Sequence, residues 1–319
     1  MTATMTSRPI AVYADIVDLD PTPGVRRLEE AGFDVRILDT ADPAAIVAGA
    51  RDAQALLVGY APVTAQMLAE LPELRVVATQ SVGVDTVDLE ACRTRGVAVR
   101  NVPGAATEEV AAHALAMSLA LVRGLPFLGR AVAGGVWDGT DERLLRPSEL
   151  TIGVLGLGRI GAAYARMIRP LVARVVGYDP LAAAPVGVEQ GTLDEVLAAS
   201  DLISLHLPST EQTRGMFDAE RLAQLRPGAL LVNVSRGDLV VSEALIGALD
   251  DGRVGAAALD VLGQEPPAAD DPLVAHPRTL VTPHVAYLSA ASARDYVLHQ
   301  AEAVVDQLAP VAPRARDRG

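Results

Sequence analysis

The 319-residue sequence contains no lysine, so all 27 of its basic residues are arginine. Without a lysine amine, the protein cannot form a Schiff base with a carbonyl substrate. It also cannot contain a P-loop, because that motif places a lysine on the phosphates. Any proton transfer must therefore come from His, Asp, Glu, Tyr or Cys.

Cysteine, positive net charge and long apolar runs are lacking as well. Cys92 is the single cysteine, which excludes a disulfide framework within one chain. The net charge of −13 argues against nucleic acid or an anionic membrane as a partner. No apolar run reaches the ~18 residues that cross a membrane, and no signal peptide pattern is evident. We expect a soluble cytoplasmic protein without a metal site.

What the sequence does contain is an alternation of apolar strand patterns and helical patterns, in a chain long enough for two domains. Such strands separated by helices are typical of α/β proteins with parallel sheets covered on both faces. The pattern predicts strands at Ile10–Ala14, Asp34–Leu38, Ala55–Tyr60, Arg75–Ala78, Val97–Asn101, Leu150–Leu155, Arg174–Tyr178, Leu202–Leu207, Ala229–Val234, Ala256–Val261 and Thr279–Thr282. It predicts helices that include Ala44–Asp52, Val87–Arg95, Thr107 to about Ala133 with a break near Gly124–Pro126, Arg159–Ile168, Leu193–Ala199, Ser242–Leu249 and Ala290–Leu308. The residues from Pro310 onward are expected to be disordered.

A glycine-rich turn lies near the middle of the chain. Residues 153–161 read GVLGLGRIG, so Gly156, Gly158 and Gly161 form a GxGxxG motif between a predicted strand and a predicted helix. The first glycine permits a tight turn, the second lets backbone approach phosphate, and the third packs helix on strand. The N-terminus of the helix then offers free N–H groups to the pyrophosphate of a dinucleotide.

Asp179 makes this motif more specific. It follows the strand Arg174–Tyr178 and lies 18 residues beyond Gly161. A carboxylate at this point accepts hydrogen bonds from the adenosine ribose hydroxyls. It also repels a 2′-phosphate, so the sequence predicts NAD as the cofactor and disfavours NADP.

Hydride transfer to a carbonyl needs a proton donor, and histidine is suited to that role because it titrates near neutral pH. His284 follows the last predicted strand of the second half. His206 also ends a predicted strand and is therefore a competing candidate. His113, His276 and His299 are expected to be helix or loop residues.

Two strand-end phrases supply further charged groups. NVSRGD contains Arg236, whose planar fork suits a carboxylate. ALDVLGQEP contains Asp260 and Glu265, and a carboxylate beside the histidine would orient its ring and favour its protonated form. Because the carboxyl ends of parallel strands meet at one sheet edge, we expect Arg236, Glu265 and His284 to lie near the cofactor.

These phrases resemble the D-isomer-specific 2-hydroxyacid dehydrogenases over essentially the whole chain. The resemblance rests on GVLGLGRIG, VVGYDP, SLHLPSTEQTRGMF, NVSRGDLV, AALDVLGQEPP and VTPHVA, in family order and spacing. It implies that Arg236 binds the substrate carboxylate and carbonyl, that Glu265 pairs with the histidine, and that His284 is the acid–base catalyst. It implies that backbone N–H groups of Val82 and Gly83 also bind the substrate carboxylate. The cofactor contacts that it implies are Gly156, Gly158, Arg159, Ile160, Gly161, Asp179, His206, Pro208, Thr213, Val234, Ser235 and, on the nicotinamide side, Asp260.

Within this family the chain is similar to the branch of the C-terminal-binding-protein corepressors and their bacterial relatives. The phrases NVPGAATEEVAAHAL, LPFLGRAV and TPHVAYLSAAS carry this similarity. The branch has an aromatic residue, often Trp, three positions after the catalytic histidine, and here Tyr287 takes that place as a predicted substrate contact. Ala112 departs from the family pattern, which has an acidic residue there. Tyr60 and the loop Trp137–Arg143 are further candidates for shaping the substrate pocket.

The resemblance implies two α/β domains with parallel sheets, a flavodoxin-like substrate-binding domain and a Rossmann-like NAD-binding domain. The NAD-binding domain is inserted into the substrate-binding domain. The implied boundaries are 1–102 plus 285–319 for the substrate-binding domain and 103–284 for the NAD-binding domain. Helices near 107–145 are expected to form a homodimer. The predicted function is NAD-dependent interconversion of a 2-keto acid and a D-2-hydroxy acid.

The alternative is an NAD(H)-sensing, corepressor-like binding protein with little or no turnover. The sequence shows no long extra terminal segments for partner recruitment, which favours the enzyme. A formate-type relative is disfavoured because that type has Gln at the position of Glu265. A phosphite-type relative is disfavoured by the absence of lysine.

Overall fold

The computed structural model describes residues 8–16, 19–139 and 144–308. Their contacts divide them into two units. Unit 1 contains the described residues through Ala106 together with those from Ser289 onward, and unit 2 is Thr107–Leu288. Both divisions lie four residues beyond the boundaries implied by the family resemblance, at 106 instead of 102 and at 288 instead of 284. The predicted disordered residues from Pro310 fall outside the described residues.

Twelve strands are present in the described residues. They are β1 (Ile10–Tyr13), β2 (Asp34–Ile37), β3 (Ala55–Val58), β4 (Val76–Thr79), β5 (Ala98–Arg100), β6 (Thr151–Leu155), β7 (Arg174–Tyr178), β8 (Glu189–Gln190), β9 (Leu202–Leu205), β10 (Ala229–Asn233), β11 (Val254–Leu259) and β12 (Thr279–Val281). All their pairings are parallel, as the continuous apolar runs predicted.

The helices connect these strands. They are α1 (Thr22–Glu30), α2 (Pro43–Ala50), α3 (Ala65–Glu70), α4 (Leu89–Arg95), α5 (Thr107–Val122), α6 (Leu125–Ala133), α7 (Arg159–Ile168), α8 (Leu193–Ala199), α9 (Ala219–Ala223), α10 (Ser242–Asp250), α11 (Pro272–Ala275) and α12 (Ala290–Leu308). Short 3₁₀ turns occur at Pro147–Glu149, Arg169–Leu171 and Gly237–Leu239.

Unit 1 is built on a five-stranded sheet in the order β2-β1-β3-β4-β5. Successive residues of β1 belong to different apolar clusters, with Val12 in one and Ala11 and Tyr13 in the other. Because strand side chains alternate between faces, this division shows that both faces of the sheet are covered. α12 returns from the end of the chain to pack against α1 and β4.

Unit 2 is built on a seven-stranded sheet in the order β12-β11-β10-β9-β6-β7-β8. The strand order reverses beside β6, and ligands of open α/β sheets bind at the carboxyl ends of strands at such a reversal. The pattern predicted about six strands and missed β8. β8 has only two residues, Glu189 and Gln190, and both are exposed, so it carries no apolar pattern.

The helical stretch after residue 107 is broken as predicted. α5 ends at Val122, and α6 begins after Gly124, whose φ of +59° continues neither helix. In the part of the chain that the structure describes, no single helix is long and apolar enough to cross a membrane. α5 and α6 meet the length and hydropathy criteria only together, across a 61° bend.

Candidate active site

The glycine-rich loop joins β6 to α7 and has the backbone geometry that its sequence predicts. Gly156 has a φ of +92°, and a Cβ atom there would collide with the carbonyl oxygen of His206. A Cβ atom on Gly161 would collide in turn with the carbonyl oxygen of Gly156. Gly158 is the N-cap of α7 and provides no side-chain cap, so the first N–H groups of the helix are left for an anion.

Asp179 directly follows β7 and is fixed by three backbone donors. Its carboxylate accepts hydrogen bonds from the N–H groups of Leu157, at 2.7 Å, and of Leu181 and Ala182, at 2.8 Å each. Partial burial raises the pKa of Asp179, but these three donors lower it further, to below its ordinary value. The side chain is therefore a positioned, ionised carboxylate against the glycine loop, which fits the ribose of a dinucleotide.

His206 follows β9, and its surroundings disfavour it as the proton donor. Burial lowers its pKa to about 3, so its imidazole is neutral at physiological pH. Its Nε2 atom lies 2.9 Å from Ser204 Oγ, and its ring packs against Tyr164 with a centroid distance of 5.0 Å. Its burial therefore disfavours His206 as a competing catalyst, and the strand-end signal does not reveal how deeply a ring is buried. Its backbone supports Gly156 instead.

His284 follows β12 and is paired with Glu265. His284 Nδ1 lies 2.6 Å from Glu265 Oε2, and the two side chains are 42% and 36% exposed. The other oxygen of Glu265 accepts the N–H of Leu262 at 2.9 Å. Partial burial raises the pKa of Glu265, but the contacts with His284 and Leu262 and the charge of Arg236 lower it more. The glutamate is thus an ionised acceptor for the imidazole.

The backbone of His284 is held in an unusual conformation. Its φ of +51° lies in the left-handed region, which costs a non-glycine residue free energy and persists only when neighbouring contacts hold it. The N–H of His284 donates to the carbonyl oxygens of Asp260, at 2.8 Å, and of Thr282, at 3.0 Å. The loop that carries the histidine is therefore fixed from its own backbone.

Asp260 follows β11 and holds the same loop with its carboxylate. Oδ1 accepts the hydroxyl of Thr282 at 2.5 Å and the N–H of Val285 at 3.0 Å, and Oδ2 accepts the N–H of Ala286 at 2.9 Å. No part of the Asp260 side chain is exposed. The implied contact of Asp260 with the nicotinamide side of the cofactor stays a prediction. The strand-end position of Asp260 was apparent from the sequence, but the loop that covers it was not.

Arg236 follows β10, at the same edge of the sheet. The side-chain amide of Asn233 donates to its carbonyl oxygen at 2.8 Å, and its Nη1 donates to the carbonyl oxygen of Ser235 at 2.8 Å. A Cβ atom at the next residue, Gly237, would collide with the backbone of Leu262. Because only glycine permits this approach, the turn of Arg236 packs closely against the segment that leads to Glu265.

The remaining implied cofactor positions also follow strand ends in unit 2. Thr213 Oγ1 donates to the carbonyl oxygen of Pro208 at 2.6 Å and accepts the N–H of Thr210 at 2.8 Å. Ser235 Oγ donates to the carbonyl oxygen of Leu205 at 2.7 Å. Val234 is buried, and Arg159 and Ile160 begin α7. These contacts shape the loops around the glycine turn.

In unit 1, the loop after β4 presents Val82 and Gly83. Val82 is 42% exposed, and its carbonyl oxygen accepts the side-chain amide of Asn101 at 2.6 Å. The hydroxyl of Ser81 donates to the carbonyl oxygen of Gly83 at 2.6 Å. Both carbonyl oxygens are thus engaged, whereas within residues 8–16, 19–139 and 144–308 the N–H groups of Val82 and Gly83 donate no hydrogen bond.

The other candidate pocket residues differ in what the structure shows of them. Tyr287 lies edge-on to the His284 ring at a centroid distance of 6.5 Å. Tyr60 and Trp137 are 56% and 91% exposed. The loop Trp137–Arg143 lies partly outside the described residues. In the described ranges, no three His, Cys, Asp or Glu side chains are grouped so that they could hold a metal ion.

Sequence reasoning missed two residues of this site. His113, in α5, lies 3.1 Å from Thr282 Oγ1 through its Nε2 atom. A helical histidine far from the motifs gives no sign of this contact. Thr282 belongs to the VTPHVA phrase, two residues before His284, and could have been found from its place at the end of the last strand.

The unit 2 site therefore defines a dinucleotide-binding α/β domain with a histidine–glutamate pair at its carboxyl edge. The profile of the family described as D-isomer specific 2-hydroxyacid dehydrogenase, NAD binding domain, matches residues 115–286. The chain belongs to the D-isomer-specific 2-hydroxyacid dehydrogenase family.

Individual relatives agree with this assignment. The chain is 41% identical to D-3-phosphoglycerate dehydrogenase of Mycobacterium tuberculosis over 267 residues, which cover 82% of this chain and 50% of the relative. It is 35% identical to glyoxylate reductase of Korarchaeum cryptofilum over 281 residues, 84% of each chain. The chain thus spans about half the length of the phosphoglycerate dehydrogenases that it matches.

Solved structures give the same picture. D-lactate dehydrogenase from Aquifex aeolicus, complexed with NAD and lactic acid, is similar with a TM-score of 0.82 and 27% identity, covering 94% of this chain and 97% of that one. An NADPH-dependent glyoxylate/hydroxypyruvate reductase from Sinorhizobium meliloti is similar with a TM-score of 0.80 and 30% identity, covering 92% and 93%. The similarity to the corepressor branch stays a prediction.

Proposed function

We propose that the protein is an NAD-dependent oxidoreductase that interconverts a 2-keto acid and a D-2-hydroxy acid. The observation that carries this proposal is the 2.6 Å contact between His284 and Glu265, at the sheet edge that also holds the glycine loop and Asp179. Membership of the family supports the reaction class, because the relatives include dehydrogenases and reductases of 2-hydroxy and 2-keto acids.

The residues of unit 2 fit a nicotinamide dinucleotide. The glycine loop and the uncapped start of α7 would hold the pyrophosphate, and Asp179 would hold the adenosine ribose. We assign further contacts to the residues that border this loop, which are Arg159, Ile160, His206, Pro208, Thr213, Val234 and Ser235. When bound, the cofactor supplies or accepts the hydride. We keep Asp260 as a predicted contact on the nicotinamide side, next to the His284 loop that its buried carboxylate holds.

The histidine–glutamate pair determines which ring nitrogen exchanges the proton. Glu265 is an acceptor because its lowered pKa keeps it ionised at neutral pH. His284 Nδ1–H therefore donates a hydrogen bond to Glu265. Nε2 is left as the ring nitrogen that exchanges a proton with the substrate. In reduction, His284 Nε2–H gives its proton to the developing alkoxide oxygen, and in oxidation the neutral Nε2 removes the hydroxyl proton.

Two groups would anchor the acid. We assign Arg236 to the substrate carboxylate and keto oxygen, because a guanidinium binds carboxylates through two parallel N–H groups and stabilises negative charge on the carbonyl oxygen. The N–H groups of Val82 and Gly83, in unit 1, stay predicted contacts of a substrate carboxylate. We place Tyr287 at the substrate because its ring packs edge-on against His284.

The homodimer, the implied domain boundaries and the cytoplasmic location also stay predictions. One observation supports the dimer. In unit 2, no residue of α6 is buried. Its apolar side chains Leu125 and Val132 are 60% and 50% exposed, and Val136 just beyond the helix is 53% exposed. Such a row of exposed apolar side chains is typical of a surface that a second subunit covers.

The test is NADH oxidation with a panel of 2-keto acids that includes glyoxylate, pyruvate and 3-phosphohydroxypyruvate, followed by chiral analysis of the product. We expect turnover with at least one acid and a D-configured product from pyruvate or 3-phosphohydroxypyruvate, since the product of glyoxylate is achiral. Absence of turnover with every acid, combined with NADH-dependent assembly, would instead support the sensor-type alternative. An L-configured product would overturn the assignment of the face on which hydride adds.

A further inference from the structure

His113 and the catalytic loop are joined by a short, partly buried chain of polar groups in unit 2. His113 lies in α5, Asp260 follows β11, and Thr282 follows β12. His113 Nε2 is 3.1 Å from Thr282 Oγ1 and 3.6 Å from Asp260 Oδ1. The exposed fraction of the side chain is 25% for His113 and 0% for Asp260. Three separate segments therefore converge on one carboxylate.

The donors in this chain can be ordered from their chemistry. Thr282 has one hydroxyl proton, and it donates that proton to the carboxylate of Asp260 at 2.5 Å. Thr282 Oγ1 can then only accept at 3.1 Å from His113, so Nε2 of His113 must carry a hydrogen. The order is His113 to Thr282 to Asp260, and it holds whether the imidazole is neutral or protonated.

Asp260 connects these groups to the His284 loop through hydrogen bonds to its carboxylate. A fully buried carboxylate needs hydrogen-bond donors, because an unpaired buried charge is costly. Its remaining donors are the N–H groups of Val285 and Ala286, the two residues after His284. The position of Asp260 thus sets the position of a histidine whose backbone is already in the left-handed region.

We infer that His113 is a positioning residue for His284, acting through Thr282 and Asp260. By donating to Thr282, it directs the threonine hydroxyl toward Asp260 and keeps the carboxylate on the two loop amides. The effect on turnover rests on the proposed function, in which His284 transfers the proton. The effect on the loop itself does not, so the two can be tested apart.

The experiment compares His113→Phe with His113→Gln in the full chain. Phenylalanine keeps a ring but removes the donor, whereas glutamine keeps an N–H donor at similar reach. Hydrogen exchange of the segment 282–288, read by mass spectrometry, reports the loop without any need for catalysis. We expect His113→Phe to exchange about tenfold faster there, with β6 unchanged, and His113→Gln to exchange like the wild type.

Kinetics supply the second measurement. We expect His113→Phe to lower kcat about tenfold while leaving KM for NADH unchanged, because the glycine loop is not part of the chain of contacts. His299→Phe is the matched control, since His299 is an exposed residue of α12 in unit 1. If His113→Phe unfolds, Thr282→Val interrupts the same chain at nearly constant volume and is expected to give the same local exchange.

The outcomes separate the two proposals. Suppose that His113→Phe exchanges faster than the wild type at 282–288, while the wild-type protein turns over no 2-keto acid. This result would support the positioning role and contradict the proposed function. Unchanged exchange in a folded His113→Phe, or in Thr282→Val if His113→Phe unfolds, would overturn the positioning role, whatever the activity. Equal loss of kcat in His113→Gln and His113→Phe would overturn it as well.

Discussion

Asp179 and Asp260 occupy equivalent places in the seven-stranded sheet, but they bind different loops and differ in exposure. Each directly follows a strand, β7 or β11, and each carboxylate collects backbone N–H groups from a neighbouring loop. Asp179 holds the glycine loop and keeps an exposed surface. Asp260 holds the His284 loop and has no exposed surface at all.

The difference shows that a strand-end aspartate is not by itself a ligand-binding residue. Its role depends on whether the loop that it fixes leaves an oxygen accessible. Asp179 fixes its loop and retains acceptor capacity for a ribose. Asp260 uses both oxygens for hydrogen bonds within the protein, and the loop that it fixes carries His284.

The largest expected effect comes from removing the group that the Asp260 loop presents. We expect His284→Ala to lower kcat for keto-acid reduction by about 10²- to 10⁴-fold, the usual contribution of a general acid. NADH binding, followed by fluorescence titration, should change little because Asp179 and the glycine loop are intact. His299→Ala is the control and should keep wild-type turnover. Wild-type turnover in His284→Ala would refute the proton-transfer role.

We expect a smaller effect on the free energy of unfolding, which allows the two aspartates to be compared directly. Asp260→Asn replaces an acceptor by an amide whose NH₂ faces buried donors, and we expect it to lower the free energy of unfolding by about 2–3 kcal/mol. Asp179→Asn can be compensated by water, so we expect it to cost less than about 1 kcal/mol. Urea denaturation followed by circular dichroism measures both. Equal losses would mean that burial is not what distinguishes these residues.

Much of the fold could be predicted from local pattern. The ranges of β7, α8 and α12 are those predicted, because apolar periodicity and helix boundaries are properties of neighbouring residues. Strand ends were predicted two residues too long at β3 and β9, where an apolar run continues into a loop. β8 was missed because its pairing partner, β7, is distant in sequence and its own residues are polar.

The site could be predicted in part. His284 and Glu265 were expected together, and the structure brings them to 2.6 Å. What could not be predicted is the burial of individual side chains. His206 and Asp260 follow strands as expected, yet both are covered by contacts with other segments, such as Tyr164 on one and Thr282 on the other. Long-range packing of this kind leaves no periodic signal in the sequence.

The smallest expected effect is on the preference for NADH over NADPH, which we expect to depend on Asp179, the more exposed of the two aspartates. Asp179→Ser removes the charge that would face a 2′-phosphate. Two unit charges about 5 Å apart repel by about 1.3 kcal/mol at an effective dielectric constant of about 50, so we expect the NADPH to NADH ratio of kcat/KM to rise about tenfold. Asp260→Asn should leave this ratio unchanged, because its carboxylate holds the His284 loop and not the glycine loop.

The pH dependence of the same ratio gives an independent check. The backbone donors lower the pKa of Asp179 below its ordinary value. A carboxylate with a lowered pKa stays ionised above its ordinary value near 3.9, and its charge is lost only as pH falls below that range. We therefore expect the wild-type ratio to be flat between about pH 7 and about pH 9. A ratio that drifts across this interval would show that a group other than Asp179 selects the cofactor.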